Sequence, residues 1–167
     1  MLRKQRWIDV MEADLINPFI HATRELMEFM VGIEDFKRTF LTADRQLTTS
    51  YDISAVININ GDLYGTLVLS FTTEIAIKML SQIMGETIEQ MDNEAEDVVG
   101  EMINIIAGNA IKLQKRKGIE KMDRTVPNVV SGMGHKVRIP RNLPCINIGY
   151  STELGDFAMQ VSIQSAE

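Results

Sequence analysis

A chain of 167 residues with 45% hydrophobic and 24% charged side chains has the size of one globular domain with a real core, taken here as residues 1–167. Its net charge of -6 and the lack of any block of five basic residues exclude an extended phosphate backbone as partner, so no nucleic acid binding is expected. Cys145 is the only cysteine, which excludes an intramolecular disulfide, and eleven methionines suit a reducing compartment such as the cytoplasm.

The N-terminal "MLRKQRWIDVMEADL" starts basic, but Asp9, Glu12 and Asp14 interrupt any apolar region. No run approaches the ~20 apolar residues of a membrane span, so neither export nor membrane insertion is expected. Residues 1–14, with Trp7, are expected to fray or to add a short helical turn. From Leu15 to Val31, Ile16, Phe19, Ile20, Thr23, Leu26, Met27 and Met30 recur at helical spacing, with Asn17 as N-cap, Pro18 at the first helical position and Gly32 as the stop. The Met-rich "LMEFMVGI" reads as core. "DFKRTFLTA" is short and β-leaning. The β-branched "YDISAVININ" and the alternating "YGTLVLSF" predict an antiparallel pair, 51–59 and 64–71, joined at Asn60-Gly61.

A second helix opens on Thr72 or Thr73 and closes on Gly85, with Ile75, Met79 and Ile83 inward. The third runs from about residue 92 to 117, with acidic residues at its start and Lys112, Lys115, Arg116 and Lys117 at its end, matching the helix dipole. Beyond Gly118, "RTVPNVVSG", "HKVRI", "CINIGYST" and "FAMQVSIQ" are all β-type and predict a closing meander of strands. The expected fold class is α+β, an antiparallel sheet with about three helices packed on it.

On the third helix, Val99, Met102, Ile106, Ala110 and Leu113 fall within about one third of the circumference and form the inward face. Glu101 lies well away from it, with Asn104 ~60° round, Gly108 ~20° round and Asp97 one turn earlier on the same side. A carboxylate and an amide one turn apart can engage two points of a bound surface. Glycine, which costs about 1 kcal/mol against alanine inside a helix, leaves room for close approach. Solvated helix faces also carry Glu and Asn, and chance alone predicts about 0.7 occurrences of E-x-x-N in a chain of this composition.

The segment "GEMINIIAGNA" resembles the E-x-x-N-x-x-x-G-N motif of the CheC/CheX/FliY family, phosphatases of the bacterial chemotaxis response regulator CheY. "INPFIHATRELMEFMVGI" is similar to the first helix of the CheX branch, and "PNVVSGMGHKV" to the strand and turn after the motif helix. Together these cover about a quarter of the chain in the family's order. E-x-x-N occurs once, at 101–104, as in the single-site CheX branch rather than the two-site CheC type.

The resemblance implies a substrate: the aspartyl phosphate of a CheY-like response regulator, a mixed anhydride that already hydrolyses slowly with the regulator's own Mg²⁺ and lysine. Asn104 would orient a water for in-line attack, since an amide is too weak a base to do more than position. Glu101 would pair with the regulator's lysine and fix the docking register. Asp97, Gly108 and Asn109 would complete the partner-binding face, Gly108 as clearance and Asn109 chiefly as structure. The family also implies a homodimer with sheets paired edge to edge. A non-catalytic regulator-binding or adaptor module on the same helix face is the alternative, and a ligand-responsive sensor a weaker third.

No metal ligation is expected. His21 and His135 lack companions at metal spacing, and His135 reads as hydrogen-bonded within a turn. Cys145, in a strand run without a nearby base, reads as a small buried hydrophobe. "GDLYG" and "GMGH" match no phosphate-cradling loop.

Overall fold

In the computed structural model, which describes residues 13–43 and 51–166, helix α1 spans Ala13–Leu26 and runs into a π-helical turn, Met27–Val31. Gly32, at φ 80°, ends it, and the Gly32 and Ile33 amides both donate to the Met27 carbonyl. The expected Asn17 cap and first-position Pro18 are overturned, because the helix already includes Ala13 and Pro18 lies inside it. A proline there removes the amide that would bond the Asp14 carbonyl. Lys117 Nζ supplies the missing donor to that carbonyl at 3.2 Å. Residues 1–12, including Trp7, lie outside the described residues.

The strands are β1 Phe36–Thr42, β2 Ile53–Gly61, β3 Leu63–Phe71, β4 Met122–Arg124, β5 Asn128–Ser131, β6 Ile146–Thr152 and β7 Gly155–Ser165. Helix α2, Thr73–Met84, is capped by Thr72 and closed by Gly85, and α3 is Asn93–Arg116 with Asp92 as its N-cap. Among the described residues the strands form one antiparallel sheet in the order β1-β6-β7-β3-β2-β4, with β5 also on β2. The α+β expectation holds, with three α-helices against the sheet. No helix among the described residues is long and apolar enough to cross a membrane.

Two strand expectations fail. "HKVRI" forms no strand, and the C-terminal strands are no meander. β4 and β5 return to the outer edge of β2, whereas β6 and β7 form a hairpin on the far side of β3. The connection through His135 instead bonds the sheet, with His135 Nε2 at 2.7 Å from Ser54 Oγ and Nδ1 at 2.9 Å from the Gly132 carbonyl. The turn hydrogen bond expected for His135 is therefore present, with a second partner 81 residues away.

The core gathers alternate strand residues such as Ile53, Ile57, Leu67, Leu69, Met159 and Val161 under Phe19, Met27, Met79, Met102 and Ile106 from the helices. Phe36, Tyr150 and Phe157 stack at one end, with centroids 4.7 to 5.8 Å apart. Cys145 is buried as expected. Of the Met-rich run, Met27, Val31 and Ile33 are core, but Phe29 is exposed.

At Asn60-Gly61 only Gly61 takes a positive φ, so the turn is not the two-residue type that the pair suggests. Gly61 is needed because the Lys121 carbonyl of the approaching β4 chain sits where a side chain would start. Gly65 meets the same constraint in mid-sheet: a Cβ there would fall 1.8 Å from the Ser162 carbonyl oxygen, at a φ of 150°. Gly65→Ala must therefore open the β3–β7 ladder, and a loss of at least ~2 kcal/mol is expected in chemical denaturation.

Candidate active site on the third helix

Helix α3 is gripped over more of its circumference than periodicity indicated. Val99, Met102, Ile106 and Ala110 are buried as expected, but so are Ile103, Ala107, Ile111 and Gln114, because α1 packs along one flank while the sheet covers another. Leu113, expected inward, is half-exposed. Gln114 Nε2 donates to the Leu15 carbonyl at 2.9 Å, which ties the C-terminal end of α3 to the start of α1. At the other end, Asp92 Oδ1 accepts from the Ala95 amide at 2.9 Å and Ser131 Oγ donates to Glu96 Oε1 at 2.8 Å. The helix is thus held at both termini.

What remains open is a strip carrying Asp97 and Glu101, both exposed, and Asn104, Gly108 and Asn109, all half-exposed. The strip forms one wall of a groove of about 770 Å³, whose other wall is β4, β5 and the Thr125–Pro127 link between them. Val126 projects from that link with 87% of its surface exposed, an apolar rim to a groove whose walls carry Glu96, Asp97, Glu101 and Asp123. Gly108 and Asn109 lie farther along, in an adjoining smaller depression of about 340 Å³ with Lys112 and Lys115.

The structure brings Glu101 and Asn104 into contact, though a loose one: Asn104 Nδ2 stands 3.5 Å from Glu101 Oε2. The other end of the amide is held more firmly by a residue that sequence reasoning missed. Arg124 Nε donates to Asn104 Oδ1 at 2.8 Å. The same guanidinium lies on Gly108, where a Cβ would stand 3.1 to 3.4 Å from its atoms. The clearance expected above Gly108 is therefore used by the chain's own arginine. The one sequence signal for Arg124 was indirect, a glycine inside a strong helix with no turn to explain it.

Gly100 makes a contrast within the same helix. A Cβ there would meet Val129 and Pro127 side chains at 3.5 to 3.9 Å, ordinary contact distances. Gly100→Ala is accordingly expected to stabilise the protein by roughly 0.5–1 kcal/mol through helix propensity, measured as a rise in denaturation midpoint at unchanged slope.

The family model described as chemotaxis phosphatase CheX matches residues 53–151 of the chain. A curated relative, the CheY-P phosphatase CheX of Thermotoga maritima, is 30% identical over 156 residues, covering 93% of this chain and 99% of the relative. Among solved structures, a CheC-like superfamily protein from Shewanella superposes with a TM-score of 0.84 at 26% identity, over 93% of this chain and 100% of that one. The CheX component of a CheX–CheY–BeF₃–Mg²⁺ complex from Borrelia burgdorferi shares the fold, with a TM-score of 0.78 at 20% identity over 90% and 98% of the two chains.

Proposed function

Because this chain belongs to the chemotaxis phosphatase CheX family, we propose that it hydrolyses the aspartyl phosphate of a CheY-like response regulator, as a single CheX-like domain over residues 1–167. The observation that carries the proposal is the pairing of Glu101 and Asn104 on the one open strip of an otherwise buried helix, at the mouth of an acidic groove. The named activity of the Thermotoga maritima relative and the CheY-bound state of the Borrelia burgdorferi relative support the same substrate.

The chemistry asked of this chain is small. An acyl phosphate has a good leaving group, and the regulator's own Mg²⁺ and lysine already balance the phosphoryl charge, so the remaining barrier lies in ordering the water. Docking of α3 into the regulator's active site would bring the Asn104 amide to the face opposite the aspartyl oxygen. There its Oδ1 accepts a hydrogen bond from the water and so turns a water lone pair toward phosphorus, a contribution from orientation rather than from base strength. Glu101, one turn back and exposed, pairs with the regulator's lysine and sets the depth and register of docking. Asp97, in the groove, and Asn109, in the adjoining depression, extend the contact, while Gly108 seats the Arg124 guanidinium.

The reading also entails a cytoplasmic location and a homodimer joined through an open sheet edge. β1 and the β4–β5 side are the two edges available among the described residues. Sedimentation equilibrium tests the dimer: a mass twice that of the 18.8 kDa chain is expected, and a monomer mass across micromolar concentrations refutes it.

Catalysis is tested by phosphorylating a panel of the host's response regulators with a small-molecule phosphodonor, removing the donor and following phosphoryl loss. The protein should accelerate one regulator, and Asn104→Ala should abolish the acceleration while leaving stability within about 0.5 kcal/mol, since the side chain is half-exposed. Binding without acceleration by the unaltered protein would replace the phosphatase with a docking module. Full activity of Asn104→Ala would remove the residue from the mechanism.

A further inference from the structure

The amide of an asparagine has two nearly isosteric ends, and only its hydrogen-bond partners decide which points where. In this site the partners are one-sided. Arg124 carries donors and no acceptor, so only Oδ1 can face it. Ionised Glu101 carries acceptors and no donor, so only Nδ2 can face it. The 2.8 Å bond from Arg124 Nε and the 3.5 Å approach to Glu101 Oε2 therefore hold the Asn104 side chain in one of its two orientations and restrain its torsions.

Arg124 is itself placed by the fold. It ends β4, where Ile59 pairs with it across the sheet edge, and its backbone amide donates to the Asp123 carboxylate at 2.7 Å. Its guanidinium crosses to α3 over the one position in that stretch of helix with no side chain, Gly108, at contact distance. An alanine there would put a methyl group 3.1 to 3.4 Å from three guanidinium atoms, close enough to shift the fork by a few tenths of an ångström. Glycine normally weakens a helix interior, and it is retained here where the planar cation needs a flat seat.

We propose that Arg124, seated on Gly108, is a positioning residue for the phosphatase reaction: it presets the orientation of the Asn104 amide before the regulator docks. This rests on the reading of Asn104 as the water-orienting group. Arg124 acts through Asn104, leaving one lone pair of Oδ1 free to accept from the attacking water while its own bond withdraws rotational freedom from the side chain. The effect belongs in the turnover step, since the restraint acts on the Asn104 amide and leaves the exposed Glu101 carboxylate in place to dock.

The test uses the full-length protein with the regulator that responds in the panel. Arg124→Gln substitutes a side chain that can offer either a donor or an acceptor, so it no longer selects an orientation. It should lower kcat roughly tenfold or more while KM for the phosphorylated regulator stays within about twofold. Arg124→Lys, which keeps a donor-only cation, should recover part of the loss. Gly108→Ala, in which Arg124 survives but its seat does not, should lower kcat while KM stays within about twofold and the far-UV circular dichroism is unchanged, a combination that misfolding cannot produce. In the protein without regulator, the Arg124 Nε–H resonance should be slowed in exchange and lose that protection in Asn104→Ala.

Wild-type kcat in Arg124→Gln, with Asn104→Ala inactive, overturns the positioning role and leaves the phosphatase reading intact. A defect confined to KM overturns it too, by making Arg124 a docking contact. Full activity in Asn104→Ala overturns both readings.

Discussion

The burial of α3 on two flanks is the constraint on which the rest of the structure depends. A helix of 24 residues that packs against the sheet on one side and α1 on another has little freedom to roll or slide. Its ends are fixed as well: Asp92 caps the start, and at the finish Gln114 and Lys117 reach the Leu15 and Asp14 carbonyls of α1. The last of these contacts meets the vacancy that Pro18 leaves in the hydrogen-bond ladder of α1. A proline that would weaken an isolated helix thus becomes an acceptor site for its neighbour. Residues on the open strip of α3 inherit this rigidity, which is what a group that works by orientation requires.

Much of the fold was legible because the signals are local. Thr72 and Gly85 bound α2 as their capping chemistry demands, and the charge gradient and Asp92 mark α3. The failures are equally physical. Asn17-Pro18 has the form of a helix start, yet apolar contacts through Ile16 and a donor 99 residues beyond Pro18 let the helix include earlier residues. "HKVRI" has strand composition, but the nearby sheet edge of β2 is already taken by β4 and β5, and His135 finds its partner in Ser54 instead. Composition reports how well a segment would suit a strand. It does not report whether a partner strand is free.

The site divides along the same line. Glu101, Asn104 and Gly108 belong to one helix, so their common side followed from the helical repeat alone. Arg124 sits twenty residues from Asn104, in a three-residue strand with no period to read. Its involvement follows from the fold, which brings the outer edge of β2 alongside α3. The glycine at 108 carried that information in sequence, but as a missing side chain. Such a gap fits an approaching partner as well as an approaching arginine, and only the tertiary structure separates the two.

The groove also bears on why so sparse a set of groups suffices. The proposed reaction asks no side chain in it to give up or take up a proton, because the amide acts through hydrogen bonds and the guanidinium and carboxylate through charge and position. The chain contributes geometry, and the regulator contributes the electrophile with its neutralising cations. This division explains why the strip tolerates exposure. Acid–base catalysis by a carboxyl group would call for burial to raise its pKa, whereas orientation calls only for stiff mounting and fixed partners. A helix buried on two flanks, with one glycine left bare for an arginine, supplies both while leaving the surface open enough for another protein to close over it.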